Sequence, residues 1–170
     1  MKLSFKLKLM SSTAGIILLL DQGTKYLELQ FLQGKGTISY FNDCLRFLFA
    51  ENRGGFLSLG ASLPEGVRNT LFLVLSSVFL LFFCIITIRD QASTTAVLIA
   101  SSMIIGGGVG NLIDRALRDG AVIDFVNMGI GSLRTGIFNV ADMAVLFGCI
   151  LLFFLLIRSS IQHNPVKHKL

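Results

Sequence analysis

The chain alternates between long apolar stretches and two polar loops. A helix needs about 20 consecutive apolar residues to cross the hydrocarbon core of a bilayer. Three stretches meet this requirement with at most one charged side chain, and a fourth does so if three ionisable residues are accepted within it. The pattern predicts four transmembrane helices, at about residues 9–32, 69–88, 91–113 and 135–157. Long loops, at about residues 33–68 and 116–134, separate the first helix from the second and the third from the fourth.

The first predicted helix also has features of a cleaved signal peptide. Three lysines precede the apolar run Leu9–Leu20, which is the order of the basic and apolar regions in a signal peptide. However, no A-x-A-like cleavage site follows, and the helical pattern continues from Asp21 to Lys25. We therefore expect a retained helix, with a cleaved signal peptide as the alternative.

Composition agrees with a membrane protein. Of the 170 residues, 53% are hydrophobic and 15% are charged, and the mean hydropathy is +0.74, which is high for a soluble domain. We predict an all-α integral membrane protein with a single membrane-embedded domain over residues 1–170. Alternation of apolar and polar residues adds a small extracytoplasmic β element, with strands at 37–41, 45–49 and 122–126. The glycine-containing residues 34–62 are predicted to form a flap.

The net charge of +5 gives only a weak indication of topology. Lysine and arginine are almost evenly divided between the two sides of the predicted bundle, so the positive-inside rule is nearly neutral. The basic N-terminus, with Lys2, Lys6 and Lys8, places both termini in the cytoplasm and both long loops outside. No basic patch is interleaved with aromatic residues, so we expect no nucleic-acid partner.

The cysteines and histidines exclude several kinds of site. Cys44, Cys84 and Cys149 are far apart in sequence, and both histidines lie in the C-terminal tail. Neither a zinc site nor a histidine-based catalytic triad can be built from these positions. We expect no metal and no cofactor, and any chemistry must use carboxylates, amides, hydroxyls, lysine or arginine.

Ionisable residues within the first helix share one face. Asp21, Lys25 and Glu28 are spaced i, i+4 and i+7, and charges in lipid are costly unless they face the bundle interior or water. One interpretation is a functional polar stripe. The other is a structural ion pair between Asp21 and Lys25, with Lys25 and Glu28 extending towards the interface. The spacing does not decide between them.

The third helix carries glycines followed by polar residues. Gly106 and Gly110 form a G-x-x-x-G pattern, which permits close helix contact. Asn111, Asp114 and Arg115 follow at i, i+3 and i+4, so this face becomes polar towards the external end. Asp114 and Arg115 have an alternative role in capping and charge pairing, whereas the amide of Asn111 must find a partner in lipid.

Two aspartates flank the second long loop. Asn139 and Asp142 lie on one face of the fourth helix, and Asp142 is about 10 Å along the axis if that helix begins near Thr135. A lone Asp142 would be a neutral hydrogen-bond donor to another helix. The glycines of the connection allow Asp124, 18 residues earlier, to fold back against it instead. Two adjacent carboxyl groups share a proton and act as acid and base, which is aspartic-protease chemistry.

These residues lie in five motifs that resemble those of the lipoprotein signal peptidase (signal peptidase II) family. The motifs are D-Q-G-T-K at 21–25, E-N-R-G-G-F at 51–56, G-N-L-I-D-R at 110–115, V-I-D-F-V at 122–126 and F-N-V-A-D at 138–142. Their order and their spread along the chain make the resemblance specific. One departs from the family pattern, because Gly55-Phe56-Leu57 replaces the usual Ala-Ala and aromatic residue before serine. This change affects the expected substrate preference more than the catalytic motifs.

The resemblance implies a membrane aspartic endopeptidase that removes the signal peptide of a prolipoprotein, cleaving just before a diacylglyceryl-modified cysteine. It implies Asp124 and Asp142 as the catalytic residues. It implies that five residues contact the substrate or support the catalytic pair: Asn52, Gly54, Asn111, Arg115 and Asn139. It implies that three others support the structure of the site: Asp21, Lys25 and Asp114. Expected partners are the lipidated substrate, membrane lipid and globomycin-type inhibitors. We expect a monomer in the bacterial inner membrane, with its site at the extracytoplasmic face.

Two other functions are compatible with intramembrane polar residues. A proton-coupled transporter or small channel also uses aspartate and asparagine in membrane helices, but no internal repeat is evident and the second helix is apolar throughout. A catalytically inactive assembly protein would keep the fold without the aspartate pair. The presence of both aspartates favours the peptidase.

Overall fold

The computed structural model describes residues 1–54 and 62–163, with side chains as far as residue 160. In this part of the chain, four helices are long and apolar enough to span a membrane, as predicted. They are α1 (Leu3–Phe31), α2 (Glu65–Arg89), α3 (Thr95–Leu117) and α4 (Val140–His163). The strands are β1 (Ile38–Tyr40), β2 (Leu45–Asn52), β3 (Val122–Ile130) and β4 (Leu133–Arg134).

The predicted start of the fourth helix, near Thr135, is wrong. The N–H of Thr135 donates to the Met128 carbonyl at 2.7 Å, and the N–H of Phe138 donates to the Val126 carbonyl at 2.9 Å. These residues therefore run along β3, and α4 begins only at Val140. Asp142 consequently lies in the first turn of its helix, so the depth inferred from a start at Thr135 does not hold.

The helices α1 and α3 also differ in extent from their predicted spans. Helix α1 begins at Leu3, six residues before the predicted start, because the lysines near the N-terminus have good helix propensity and continue the helix beyond its apolar part. Helix α3 begins at Thr95 rather than at residue 91, since the Thr94 side chain accepts the Val97 N–H at 3.3 Å and caps it. Threonine is one of the residues preferred at the N-cap of a helix, because its hydroxyl oxygen can accept a backbone N–H of the first turn.

The strands form one antiparallel sheet in the order β1-β2-β3-β4. The three predicted strands are present, and β4 is an additional short strand that pairs with the end of β3. The register places Ala50 opposite Asp124 and Asn52 opposite Val122. Since residues two apart point to the same face of a strand, Asn52 is the diagonal neighbour of Asp124. The predicted flap beyond residue 54 lies outside the described residues.

Helix α3 occupies the centre of the bundle and contacts the other three helices. Its glycines allow this close approach, as the G-x-x-x-G pattern predicted. A methyl group on Gly106 would lie 2.9 Å from the Ala14 carbonyl oxygen of α1, and one on Gly110 would lie 2.5 Å from Asp21 Oδ2. Large apolar side chains on the outer faces of the other helices, such as Leu19 and Phe82, are exposed, as expected for surfaces in contact with lipid.

At the end of the bundle opposite the sheet, Lys6 joins α1 to the turn between α2 and α3. Its side chain is buried, and its ammonium donates to the carbonyls of Ile88, at 3.3 Å, and Asp90. Ile88 is in the last turn of α2 and Asp90 is its C-cap, where a cation is favoured by the helix dipole. Lys6 is therefore a buried part of the packed structure. It is not a solvent-exposed charge whose main effect is on membrane topology.

Candidate active site

The start of α4 holds the Asp142 side chain in a reciprocal cap. Asn139 Oδ1 accepts the Asp142 N–H at 2.9 Å, and Asp142 Oδ2 accepts the Asn139 N–H at 3.1 Å. This is the capping-box arrangement, with asparagine and aspartate in the two positions. The Ala141 N–H is also in the first turn and has no partner within the helix. It donates to Asp21 Oδ1 of α1 at 2.9 Å. Asp142 is thereby fixed at a helix N-terminus, where negative charge is stabilised.

Asp124 reaches the same place from the sheet. It is on β3 and is 2% exposed. Its Oδ2 accepts the Asn52 side-chain amide at 3.0 Å, and its Oδ1 accepts the Asn139 side-chain amide at 2.7 Å. Asn139 therefore donates its backbone N–H to Asp142 and its side-chain N–H to Asp124. We call Asp124 and Asp142 the carboxylate pair.

The environment of Asp124 disfavours its ionised form. Burial is the main cause, followed by the nearby charge of Asp142; the amides of Asn52 and Asn139 act in the opposite direction. Together they raise the pKa of Asp124 from 3.8 to about 7. A carboxyl group with this pKa carries a proton over much of the physiological pH range, as an aspartate acting as a general acid requires.

A second group of buried charges lies directly behind the pair. The Lys25 ammonium contacts Asp21 Oδ2 and Asp114 Oδ2, both at 2.9 Å, and all three side chains are at most 1% exposed. We call these three residues the ion cluster. The predicted ion pair between Asp21 and Lys25 is present, but Lys25 points into the bundle, so the prediction that it extends towards the interface is wrong. Asp114 also accepts the Ile123 N–H at 3.1 Å, which fixes β3 against α3.

Asn111 connects the ion cluster to the carboxylate pair. Its Oδ1 accepts from Lys25 at 2.9 Å, and its Nδ2 donates to Asp142 Oδ1 at 2.9 Å. Its Oδ1 also accepts from the Asn139 side chain at 3.2 Å. The amide that had to find partners in the membrane therefore bonds to three polar side chains.

Arg115 and Gly54 lie at the edge of the site. The Arg115 guanidinium donates to the Gly54 carbonyl at 3.1 Å and lies over the Phe72 ring, 5.6 Å from its centroid. The Gly54 N–H donates to Asn52 Oδ1 at 3.0 Å, so Arg115 holds the turn that carries Asn52. A largely apolar groove of about 410 Å³ between α2, α3 and α4 ends at Arg115 and Asn111.

Two residues of the site, Gln22 and Phe72, were not singled out from the sequence. Gln22 lies within D-Q-G-T-K, and its amide donates to Asp21 Oδ2 at 3.1 Å and to Asp114 Oδ1 at 3.2 Å. Its place beside Asp21 was the only signal available, because an amide near a helix end has many other uses. The altered segment Gly55-Phe56-Leu57 lies outside the described residues.

Comparison with known proteins agrees with these features. The family model described as signal peptidase (SPase) II matches residues 13–158. The lipoprotein signal peptidase of Chlorobium phaeobacteroides is 31% identical over 167 residues, covering 91% of this chain and 96% of the relative. That of Borrelia hermsii is 35% identical over 139 residues, covering 78% of this chain and 80% of the relative.

Solved structures share the fold. A bacterial membrane enzyme determined by the in meso method at 2.3 Å resolution superposes with a TM-score of 0.79 and 24% identity, over 95% of this chain and 93% of the other. A second, determined at 1.9 Å, gives a TM-score of 0.76 with 26% identity, over 86% and 91% of the two chains. The family match covers most of the chain, and the four-helix membrane fold agrees with it. The chain therefore belongs to the signal peptidase II family and is an integral membrane peptidase.

Proposed function

We propose that Asp124 and Asp142 are the catalytic residues of an aspartic endopeptidase that removes signal peptides from diacylglyceryl-modified prolipoproteins. The observation that carries the assignment is that one residue, Asn139, donates to both carboxyl groups. The two side chains come from different elements, a strand and a helix. The names of the relatives, lipoprotein signal peptidases, support the substrate class.

The reaction needs one proton shared by the pair. The ionised carboxylate removes a proton from a water molecule as that water attacks the scissile carbonyl, and the protonated carboxyl donates a hydrogen bond to the carbonyl oxygen. Collapse of the tetrahedral intermediate returns a proton to the leaving amine. The raised pKa of Asp124, about 7, supports a singly protonated pair near neutral pH.

The surrounding residues have distinct proposed roles. Asn52, Asn111 and Asn139 hold the two carboxyl groups through their amides, and Gly54 and Arg115 hold the loop at the mouth of the groove and contact the substrate backbone. Asp21, Lys25 and Asp114 support these residues from below. The apolar groove beside Arg115 suits the apolar part of a signal peptide, because a lipid-anchored precursor presents its cleavage site at the membrane surface.

The proposed arrangement in the bilayer follows from the four spans. An even number of spans places both termini on one side, and the basic N-terminus favours the cytoplasm. The carboxylate pair, at the opposite end of the bundle, then faces the extracytoplasmic side of the bacterial inner membrane. We propose a monomeric, single-domain enzyme that contacts membrane lipid and binds globomycin-type inhibitors at this site.

The decisive experiment is incubation of the purified protein with a diacylglyceryl-modified precursor. We expect cleavage on the N-terminal side of the modified cysteine, identified by mass spectrometry, and inhibition by globomycin. The matched control is the same precursor without the diacylglyceryl group, which we expect to remain uncleaved. Equal cleavage of both precursors would contradict the proposed specificity, and cleavage of neither would contradict the proposed substrate.

A further inference from the structure

We infer, on the basis of the proposed peptidase reaction, that Lys25 is a positioning residue: it orients Asn111 so that Asp142 is the ionised carboxylate and Asp124 the protonated one. Lys25 is on α1 and is buried in the ion cluster, where its ammonium bonds to Asp21, Asp114 and Asn111. Its charge acts on both carboxyl groups and so does not by itself distinguish them, whereas its bond to Asn111 reaches Asp142 through that amide.

The three protons of the Lys25 ammonium are matched by three acceptors. These are Asp21 Oδ2, Asp114 Oδ2 and Asn111 Oδ1, each at 2.9 Å. Because an ammonium only donates, Asn111 must turn its oxygen towards Lys25. Its NH₂ group is then left facing Asp142 Oδ1, at 2.9 Å. Rotation of the amide by 180° would bring that NH₂ group against a cation, so Lys25 permits one orientation only.

The two carboxyl groups receive different kinds of hydrogen bonds as a result. Asp142 accepts from the oriented Asn111 amide and from the Asn139 backbone N–H at the start of α4. Both stabilise its charge, and the helix N-terminus adds to them. Asp124 lies on a strand and accepts from the side-chain amides of Asn52 and Asn139. Asp142 is thus the better site for the negative charge, and Asp124 for the proton.

The remaining charges around the pair come from α1 and α3. Helix α2 brings Phe72 over Arg115, and β2 brings Asn52. The ionisable groups that act on the pair are Asp21, Lys25 and Arg115, and Asp114 acts on Arg115. Arg115 acts on both carboxyl groups, so it does not by itself distinguish them. The oriented Asn111 amide does, because it bonds to Asp142 alone of the two.

Lys25→Met tests this role. Without the cation, Asn111 can rotate and Asp142 loses part of its stabilisation, so its ionisation requires higher pH. We expect kcat for the lipidated precursor to fall about 100-fold, with KM changed less than about threefold. We also expect the acid limb of the pH–rate profile to move about one unit to higher pH. Lys35→Met removes an exposed loop lysine and is the control, with no change in either quantity.

Double variants separate positioning from stability. Because Lys25 acts through Asn111, Lys25→Met should add little to the loss in kcat already caused by Asn111→Leu. If Lys25→Met does not fold, Lys25→Arg keeps the charge of the ion cluster. It should lower kcat about tenfold by misdirecting the amide, and this loss should vanish in the Asn111→Leu background.

Independent, multiplying losses in the double variants, or an unmoved acid limb in a folded Lys25→Met protein, would overturn the role of Lys25. Measurement of globomycin-sensitive cleavage by the unaltered protein distinguishes a failure of the proposed reaction from a failure of the proposed role of Lys25. If the unaltered protein leaves the lipidated precursor intact, the proposed reaction is contradicted, and the role of Lys25 in it is contradicted as well.

Discussion

The ion cluster and the carboxylate pair lie in the same bundle, share Asn111 as a neighbour and each contain two aspartates, of which only Asp142 is half-buried rather than buried. In the ion cluster, Lys25 sits between Asp21 and Asp114, at 2.9 Å from each. In the carboxylate pair, Asn139 sits between Asp124 and Asp142 and donates to both. A cation lets two buried carboxylates remain charged together, whereas a neutral amide does not compensate their repulsion.

This difference gives the ion cluster a structural role and the carboxylate pair the proposed catalytic role. The carboxylates of the ion cluster are bonded to a cation and serve as anchors: Asp21 accepts the Ala141 N–H of α4 and Asp114 accepts the Ile123 N–H of β3. Two carboxyl groups that share a proton contain an acid and a base at once. The ion cluster thereby fixes the two elements that carry the pair, and in the proposed reaction the pair holds the labile proton.

The largest expected effect comes from removing either member of the pair. Asp124→Asn and Asp142→Asn should each lower kcat for the lipidated precursor by more than about 10³-fold, because neither variant retains both an acid and a base. Mass-spectrometric detection of the released signal peptide measures this loss. Asp119→Asn, the same change at an exposed turn position, is the matched control and should keep full activity. Turnover above about 10% in either pair variant would remove the assignment.

The next largest effect comes from removing the bridge between the two carboxyl groups. Asn139→Ala leaves both without a shared donor and removes the α4 cap, so kcat should fall about 10²-fold and stability by about 1–2 kcal/mol. Thr94→Ala removes the side-chain cap of α3 far from the pair. It should lower the unfolding temperature in detergent to a similar extent without lowering kcat per folded molecule. Equal losses of activity in both variants would mean that Asn139 acts only as a cap.

A smaller effect on activity comes from the ion cluster. Asp21→Asn leaves Lys25 with Asp114 and replaces one acceptor of the ammonium, so stability should fall by about 3 kcal/mol and kcat by about tenfold. Asp43→Asn alters surface ion pairs with Arg46 and Arg134; it should lower stability much less, because exposed ion pairs contribute little, and leave kcat unchanged. Thermal unfolding of the two variants gives the comparison. A larger loss of activity than in Asn139→Ala would show that the cluster does more than hold α4.

Much of this arrangement was predictable because the membrane restricts where polar residues are tolerated. Apolar stretches gave the number of helices, and alternation gave β1, β2 and β3. The start of α4 was not predictable, because Thr135 and Phe138 are apolar enough to continue a helix and are removed from it only by hydrogen bonds to β3. That pairing depends on the tertiary approach of residues separated along the chain.

The site, like the fold, was predictable from the sequence in part. Motif resemblance identified Asp124 and Asp142 as candidates, and the glycines made their approach possible. The double use of Asn139, through its backbone to one carboxyl and its side chain to the other, required the geometry of the capped helix. Similarly, the i, i+4 spacing indicated the Asp21–Lys25 pair, but Asp114 as the second partner of Lys25 depends on the close contact of α1 with α3.

The smallest expected effect is a difference in how stability depends on pH. The pKa of Asp124 is raised from 3.8 to about 7, so between these values the folded protein holds a proton that the unfolded chain has lost. The stabilisation is fully present below pH 3.8 and is lost as pH rises through about 7. Asp142 shares this titration, so the dependence belongs to the pair. Asp124→Asn removes the group, and its unfolding temperature relative to the unaltered protein should rise by about 5 °C from pH 4 to pH 8. Asp119→Asn should show no such trend, and a flat difference for Asp124→Asn as well would mean that folding does not raise the pKa of Asp124.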